Sequence, residues 1–365
     1  MKFFDLKAQH KEIKEDLDRR LAEVLYHQNF ILGPEIDELE DRLKKYVGVD
    51  HCVSVGNGTD ALQIALMAIG IKPGDEVITP CFSYISVAEV VTLLGAKPVY
   101  IDVSDETYNI DVNQLESKIT SKTRCIVPVN LFGQCADFNE IMSLGDRFNI
   151  PVIEDGAQSF GALYNGRKSG SLATLSCTSF FPTKPLGCYG DGGAVFTNDP
   201  QLAKKVRQIS RHGQASKYDH ILQGVNSRLD SIQGAVLLAK LKIFDNEVQK
   251  RRRIGDRYGE LFLKSEFKNV PIVSPGRTHV WAQYSIRVQN RDLFCSRLNK
   301  EGIPTAVHYP TPLNKQPAVA DDDQIFPVAA KIANEIVSLP MGPYLDPTDQ
   351  EKIVKAVTNL SLSLS

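Results

Sequence analysis

Between residues 50 and 200 short, apolar, β-branched runs alternate with helix-sized segments, and this alternation constrains the fold more than any other feature. The runs are CVSV (52–55), EVITP (76–80), KPVYID (97–102), TRCIVPVN (123–130) and IPVIED (150–155). Runs that read apolar on both faces and are separated by helices predict a mainly parallel sheet covered by helices on both sides, an α/β fold. In such sheets ligands bind beyond the carboxyl ends of the strands. The residues to inspect are therefore Gly56 to Asp60, Pro80 to Tyr84, Asn130 and Asp155. Farther on, LDSIQGAVLLAKLKIFDNEVQKRRRIGDRYGELF keeps helical apolar spacing over many turns and predicts a helix connecting domains, with Arg251 to Arg253 on its solvated face. Beyond residue 265 AQYSIRV, a helical LFCSRLNKEG and a Pro-rich stretch predict a smaller α/β domain. The expected division is 1–245, a large domain with an N-terminal helix, and 246–365, a small C-terminal domain.

Charge and cysteine usage narrow the function. Acids number 44 and Lys plus Arg 42, so no basic field exists to hold nucleic acid. The seven cysteines are scattered without a C-x-x-C pair, which predicts reduced, mostly buried thiols and neither a zinc site nor any other metal site. The charged N-terminus and the lack of a long apolar run lead to the expectation of a cytoplasmic protein with no membrane partner.

Three segments carry chemistry. In VSVGNGTDALQIALMAIG (53–70) a strand enters a Gly-rich turn and then a helix opened by Thr59 and Asp60, so free N–H groups converge as an anion cradle. The segment also fits a loose dinucleotide fingerprint, G-x-G-x-x-A, but the acids Asp75 and Glu76 precede the second strand instead of ending it. In IPVIEDGAQSFGA (150–162) Asp155 stands at a strand's carboxyl end, where it could be a helix cap, an ion-pair partner, a metal ligand or the acid that keeps a pyridine nitrogen protonated. In CTSFFPTKPLGCYGDGGAVFTN (177–198) Lys184 sits in a turn of Pro, Gly and aromatic residues, a setting that disfavours the ammonium form and leaves a nucleophilic amine. A phosphate cradle, an aromatic ring (Tyr84), an acid (Asp155) and an imine-forming lysine are together what a pyridoxal-phosphate site requires.

With these segments in place, the chain resembles the DegT-type, fold-type I nucleotide-sugar aminotransferases over nearly its full length. The matching segments include FILGPE (30–35), GNGTDALQIAL, DEVITPCFSYIS, PVIEDGAQSFGA, SFFPTKPLGCYGDGGA, RHGQ, GVNSRLDSIQGAVLLAKL and HYPTPLNKQPA. The resemblance implies that Lys184 forms the Schiff base with pyridoxal 5'-phosphate and that the cofactor alternates with pyridoxamine phosphate. Asp155 would pair with the ring nitrogen, Tyr84 would stack on the ring and Gln158 would lie near its hydroxyl. Gly58, Thr59 and Ser179 would hold the phosphate. It further implies a homodimer with shared sites, in which Asn226 reaches the partner's cofactor phosphate. Within the family the likeness is to enzymes that aminate C3 of UDP-2-acetamido-2-deoxy-3-oxo-D-glucuronate with L-glutamate, which would place Arg228 of the partner, His308 and Tyr309 around the sugar. A guanidinium and a sugar carboxylate match as a two-bond fork. The plainer reading pairs Arg228 with Asp230 and leaves His308 a satisfied loop histidine. Other readings are a dTDP- or UDP-linked keto-6-deoxyhexose as substrate, and a pyridoxal-phosphate-binding regulator without turnover.

Overall fold

The computed structural model describes residues 1–321 and 323–364. Two helices, α1 (Leu6–His27) and α2 (Pro34–Val47), lead into the alternating region. There β1 (His51–Val55), α3 (Gly58–Ile69), β2 (Glu76–Pro80), α4 (Ser86–Leu93), β3 (Lys97–Ile101), β4 (Thr123–Ile126), α5 (Phe138–Phe148) and β5 (Ile153–Asp155) follow in turn. A small hairpin, β6 (Leu163–Tyr164) and β7 (Arg167–Lys168), precedes β8 (Leu175–Ser179) and β9 (Gly193–Thr197). The strand groups β3-β2-β4 and β5-β8-β9-β1 are joined by parallel bridges, Ile126 with Val152 and Val129 with Asp155, into one sheet of order β3-β2-β4-β5-β8-β9-β1. Only β9 runs against its neighbours. That reversal lays Gly193 beneath the Asn57–Gly58 turn, where a side chain would strike the Asn57 carbonyl.

Both faces of the sheet are covered, as apolar strands demand. Val53, Val77, Val127 and Ile153 belong to a core shared with α3 and α4, while Cys52, Ile78, Ile126 and Phe196 join a core with α1, α2 and α7 (Ser231–Leu241). Burying such strands on two faces removes nearly all their apolar surface from water, at ~25 cal/mol per Å².

The expected long connecting helix is instead two helices, α7 and α8 (Phe244–Leu263), broken at Lys242 and Ile243. Its arginine run is not a solvated face either. Arg251 is buried and donates from Nη1 to the Trp281 carbonyl at 3.0 Å, Arg252 reaches Thr278 Oγ1 at 2.8 Å, and only Arg253 is exposed. Between α6 (Pro200–Ile209) and α7 an exposed hairpin, β10 (Gln214–Ser216) and β11 (Asp219–His220), projects from the body. The C-terminal part holds the antiparallel pair β12 (Tyr284–Arg287) and β13 (Ile336–Leu339) with α9 (Arg291–Lys300), α10 (Pro327–Glu335) and α11 (Pro347–Leu364). Tyr258, Phe262, Tyr284, Phe294 and Val357 form a separate apolar cluster there, whereas Leu313, Phe326 and Ile332 pack into the sheet core. All seven cysteines are free and six are buried. No helix among the described residues is long and apolar enough to cross a membrane.

Candidate active site

The strand ends deliver the site. At the carboxyl end of β1 the chain turns through Gly56 and Asn57 into α3. Thr59 and Asp60 lie in the first turn of α3, and its cap is Asn57, whose side chain accepts from the Asp60 N–H at 2.8 Å. Asp60 instead accepts a hydrogen bond from Ser227 Oγ at 2.7 Å, and Ser227 Oγ accepts one from the Gly56 N–H at 2.9 Å. Gly58 lies against Ser179 at the end of β8, and a Cβ on Gly58 would come within 2.6 Å of the Ser179 Cβ. The turn therefore presses the positive end of α3 onto a serine hydroxyl, which is the donor set a phosphate dianion requires. Asp75, the acid a dinucleotide would need, closes a turn at the opposite end of the sheet by accepting from the Lys72 N–H at 2.8 Å.

Asp155 ends β5 and is buried. Its Oδ1 accepts from the Ala157 N–H at 3.0 Å, so it does act as a local turn cap, yet it also faces Lys184. Burial pushes the Asp155 carboxyl up, opposed by that N–H and by the Lys184 charge. Burial pushes the Lys184 amine down from the ordinary lysine value, opposed by Asp155. The Lys184 shift favours the neutral amine that attack on an aldehyde needs. The loop holding Lys184 is stiff: its N–H donates to the Phe181 carbonyl at 2.9 Å, and a Cβ on Gly187 would lie 2.6 Å from the Phe181 and Pro182 carbonyls. Among the described residues no cluster of His, Cys, Asp and Glu could hold a metal ion.

Aromatic and polar groups close the pocket from the C-terminal half. Gln158 donates to the Tyr309 hydroxyl at 3.2 Å and accepts from the Phe132 N–H at 2.9 Å, which fixes its amide. The Tyr309 ring lies 5.9 Å from that of Tyr84, itself half exposed. His308 Nδ1 bonds Ser338 Oγ at 2.9 Å, and burial together with the Lys184 charge pushes its imidazole down to about 4. It is a satisfied histidine, but one that fronts the lysine. Asn226 and Arg228 are placed differently. Asn226 is exposed, Arg228 is half-buried, and Arg228 makes no ion pair among the described residues, so the pairing with Asp230 is not formed.

One residue escaped the sequence reading. Glu154, beside Asp155 but on the other face of the sheet, has no exposure and accepts from Asn130 Nδ2 (2.8 Å), Ser169 Oγ (2.6 Å), Ser176 Oγ (2.8 Å) and the Gly170 N–H (3.0 Å). It clamps β5 between β4 and β8 and so holds the Asp155 backbone. The pair of acids at the strand end was the visible signal.

Comparison with known proteins agrees with this geometry. Residues 11–358 match the model of the DegT/DnrJ/EryC1/StrS aminotransferase family. The UDP-2-acetamido-2-deoxy-3-oxo-D-glucuronate aminotransferase of Pseudomonas aeruginosa is 54% identical over 98% of this chain and 100% of its own length. A DegT/DnrJ/EryC1/StrS aminotransferase from Brucella abortus superposes with a TM-score of 0.95 at 42% identity, covering 99% of both chains. NtdA from Bacillus subtilis, crystallised with the cofactor PMP, gives 0.89 at 31% identity over 96% of this chain and 82% of its own. A lysine on a wound loop, an acid at the end of the neighbouring strand and a match along nearly the whole chain lead to one conclusion: this protein is a member of the DegT/DnrJ/EryC1/StrS aminotransferase family.

Proposed function

We propose that the chain is a pyridoxal-phosphate-dependent aminotransferase that moves the amino group of L-glutamate to C3 of UDP-2-acetamido-2-deoxy-3-oxo-D-glucuronate. The product would be UDP-2-acetamido-3-amino-2,3-dideoxy-D-glucuronate, for surface polysaccharide synthesis in the cytoplasm. The observation that carries the reading is the half-buried Lys184, whose amine is pushed toward its neutral form and coupled to the Asp155 charge, together with the Gly58–Ser179 cradle. Support for the substrate is the name and the full-length identity of the Pseudomonas relative.

The residues present fit the cofactor. Gly58, Thr59 and Ser179 would hold its phosphate, Tyr84 would cover the ring, Gln158 would stand near the ring hydroxyl and Asp155 would keep the ring nitrogen protonated. When bound, pyridoxal phosphate supplies an electrophilic aldehyde and an electron sink. Lys184 Nζ takes the proton from the donor's α-carbon and later returns one to C3 of the sugar, and Asp155 stabilises the positive charge on which that transfer depends. His308 and Tyr309 orient the sugar, and Arg228 grips its carboxylate.

Two further parts belong to this reading. The enzyme acts as a homodimer in which Asn226 and Arg228 serve the partner's site. Supporting it is an exposed apolar patch joined to the site: the Phe30 carbonyl accepts from the Ser231 N–H, Tyr189 is bonded through its N–H to Gln233, and Phe30, Ile31, Leu32, Phe181, Tyr189 and Ile232 all face solvent in one chain. The proposed division into 1–245 and 246–365 is supported by the separate apolar cluster around Tyr258 and Phe294, with the segment bearing Leu313, Phe326 and Ile332 returning to pack on the large domain.

The test joins absorbance to turnover. The purified protein should carry the imine band of a lysine-bound aldehyde, glutamate should bleach it, and a panel of nucleotide keto-sugars should restore it fastest with the 3-oxo-glucuronate. Restoration by a keto-6-deoxyhexose instead would reassign the substrate. A protein that is yellow but indifferent to every amino donor would be a regulator and would sink the enzyme reading.

A further inference from the structure

The segment that returns from the exposed hairpin alternates strictly. Ser227 and Leu229 are buried, while Asn226 and Asp230 are exposed and Arg228 is half-buried. Successive residues of an extended chain point to opposite sides, so Ser227 is committed to its own cradle through Asp60 and Gly56, and Asn226 and Arg228 lie together on the other side. At the base of the hairpin Arg211 forms an antiparallel bridge with Asn226, flanked by His212 N–H to Val225 O at 3.0 Å and Ser227 N–H to Ser210 O at 3.0 Å. In that register Arg211 and Asn226 are a non-hydrogen-bonded pair, whose side chains project to the same face at the closest cross-strand spacing. Arg211 and Arg228 are thus diagonal neighbours.

Among the described residues neither guanidinium forms an ion pair, and Glu40 and Asp37 act on Arg211 only through space. Among the described residues Arg211 makes no ion pair and no side-chain hydrogen bond, although Arg207, one turn earlier, is tied to Glu40 at 2.7 Å. Burial and then the Arg207 charge push Arg211 below the ordinary arginine value, opposed by the charges of Glu40 and Asp37, with Arg228 adding to the repulsion. A fold that holds two half-buried, unpaired cations side by side is arranged for an anion that is not part of the chain. A nucleotide-linked hexuronate presents two kinds of negative group, a carboxylate and a diphosphate, and one arginine cannot fork both.

We propose that Arg211 binds the diphosphate of the nucleotide-sugar substrate, beside Arg228, as part of the surface that each subunit presents to its partner's site. The proposal rests on the function and dimer proposed above. The shared chemistry is a phosphoryl anion, and the alternative source is the cofactor's own phosphate.

The experiment uses the holoenzyme with Arg211→Gln and Arg211→Lys. Wild-type turnover with glutamate and a nucleotide keto-sugar is measured first, and its absence would sink the functional reading without bearing on Arg211. Given turnover, Arg211→Gln should raise KM for the nucleotide sugar about 10- to 100-fold, as expected for a lost charged hydrogen bond. Bleaching by glutamate alone and cofactor retained on dialysis should stay unchanged, and inorganic pyrophosphate should inhibit the variant more weakly. Arg211→Lys, which keeps the charge but not the fork, should fall between the two and serves if the Gln variant misfolds. Mixed dimers of Lys184→Ala and Arg211→Gln subunits should recover wild-type KM at the intact lysine, since its Arg211 comes from the other chain. An unchanged KM would overturn the proposal, as would cofactor loss that inorganic phosphate mimics. Mixed dimers that keep the raised KM would overturn the assignment across subunits.

Discussion

At the scale of single residues, buried polar groups set both chemistry and acid stability. Lys184→Ala should abolish the imine band and turnover while leaving circular dichroism unchanged, because the loop that holds residue 184 is wound by backbone hydrogen bonds and Gly187. His279 makes a different prediction. It is buried, stacks on Trp281 with ring centroids 3.8 Å apart and accepts the Trp281 N–H at 2.9 Å, and burial pushes it down to about 3. The unfolded chain takes up its proton near pH ~6.5 while the folded chain does not, so this residue's contribution is complete above that pH and is lost as pH falls toward about 3. The slope is about 1.4 kcal/mol per pH unit for one proton. In His279→Asn, whose amide oxygen can still accept the N–H, urea titrations should show a shallower decline of stability below about pH 6.5. An unaltered slope would mean that other groups govern acid unfolding. Lys184 and Asp155 stood out in the sequence because Asp155 closes an apolar run ahead of small residues and Lys184 is the single lysine in a turn of Pro, Gly and aromatic residues. Glu154 was not, because its donors Asn130, Ser169, Gly170 and Ser176 come from scattered positions that meet only in the fold.

At the scale of elements, the start of α3 and the end of β5 depend on close fits. Gly58→Ala would push its methyl into Ser179 and should cost about 1–3 kcal/mol in cofactor affinity, read as pyridoxal phosphate retained per chain after dialysis. Glu154→Ala would leave several buried donors without an acceptor and should lower unfolding free energy by ~3–5 kcal/mol, whereas Glu154→Gln should lose less by keeping one oxygen. Chemical denaturation of the three proteins would rank them. The strands were readable because burial on both faces leaves an unbroken apolar run. The break between α7 and α8 was not, because apolar spacing continues across Lys242 and Ile243 without Gly or Pro to mark it. Arg251 misled for the opposite reason: a charged run reads as solvated, and the Trp281 carbonyl that receives it is remote in sequence.

At the scale of the whole molecule, Phe30, Ile31, Leu32, Phe181 and Ile232 are exposed, and the proposed homodimer would cover them. Ile232→Asp should shift sedimentation from dimer to monomer and remove turnover with it, and a fully active monomer would end the shared-site reading. The reversal of β9 has a consequence for assembly. Because that strand alone brings Gly193 under the Asn57–Gly58 turn, the anion cradle draws on β1, β8 and β9, pieces synthesised far apart that converge only when the sheet's last strand slots between its neighbours. Contacts between such distant pieces carry a larger loop-closure cost. Cofactor uptake is therefore expected to report finished folding: during renaturation the yellow colour should emerge after secondary structure has recovered, and colour that rises together with secondary structure would show that the cradle forms early.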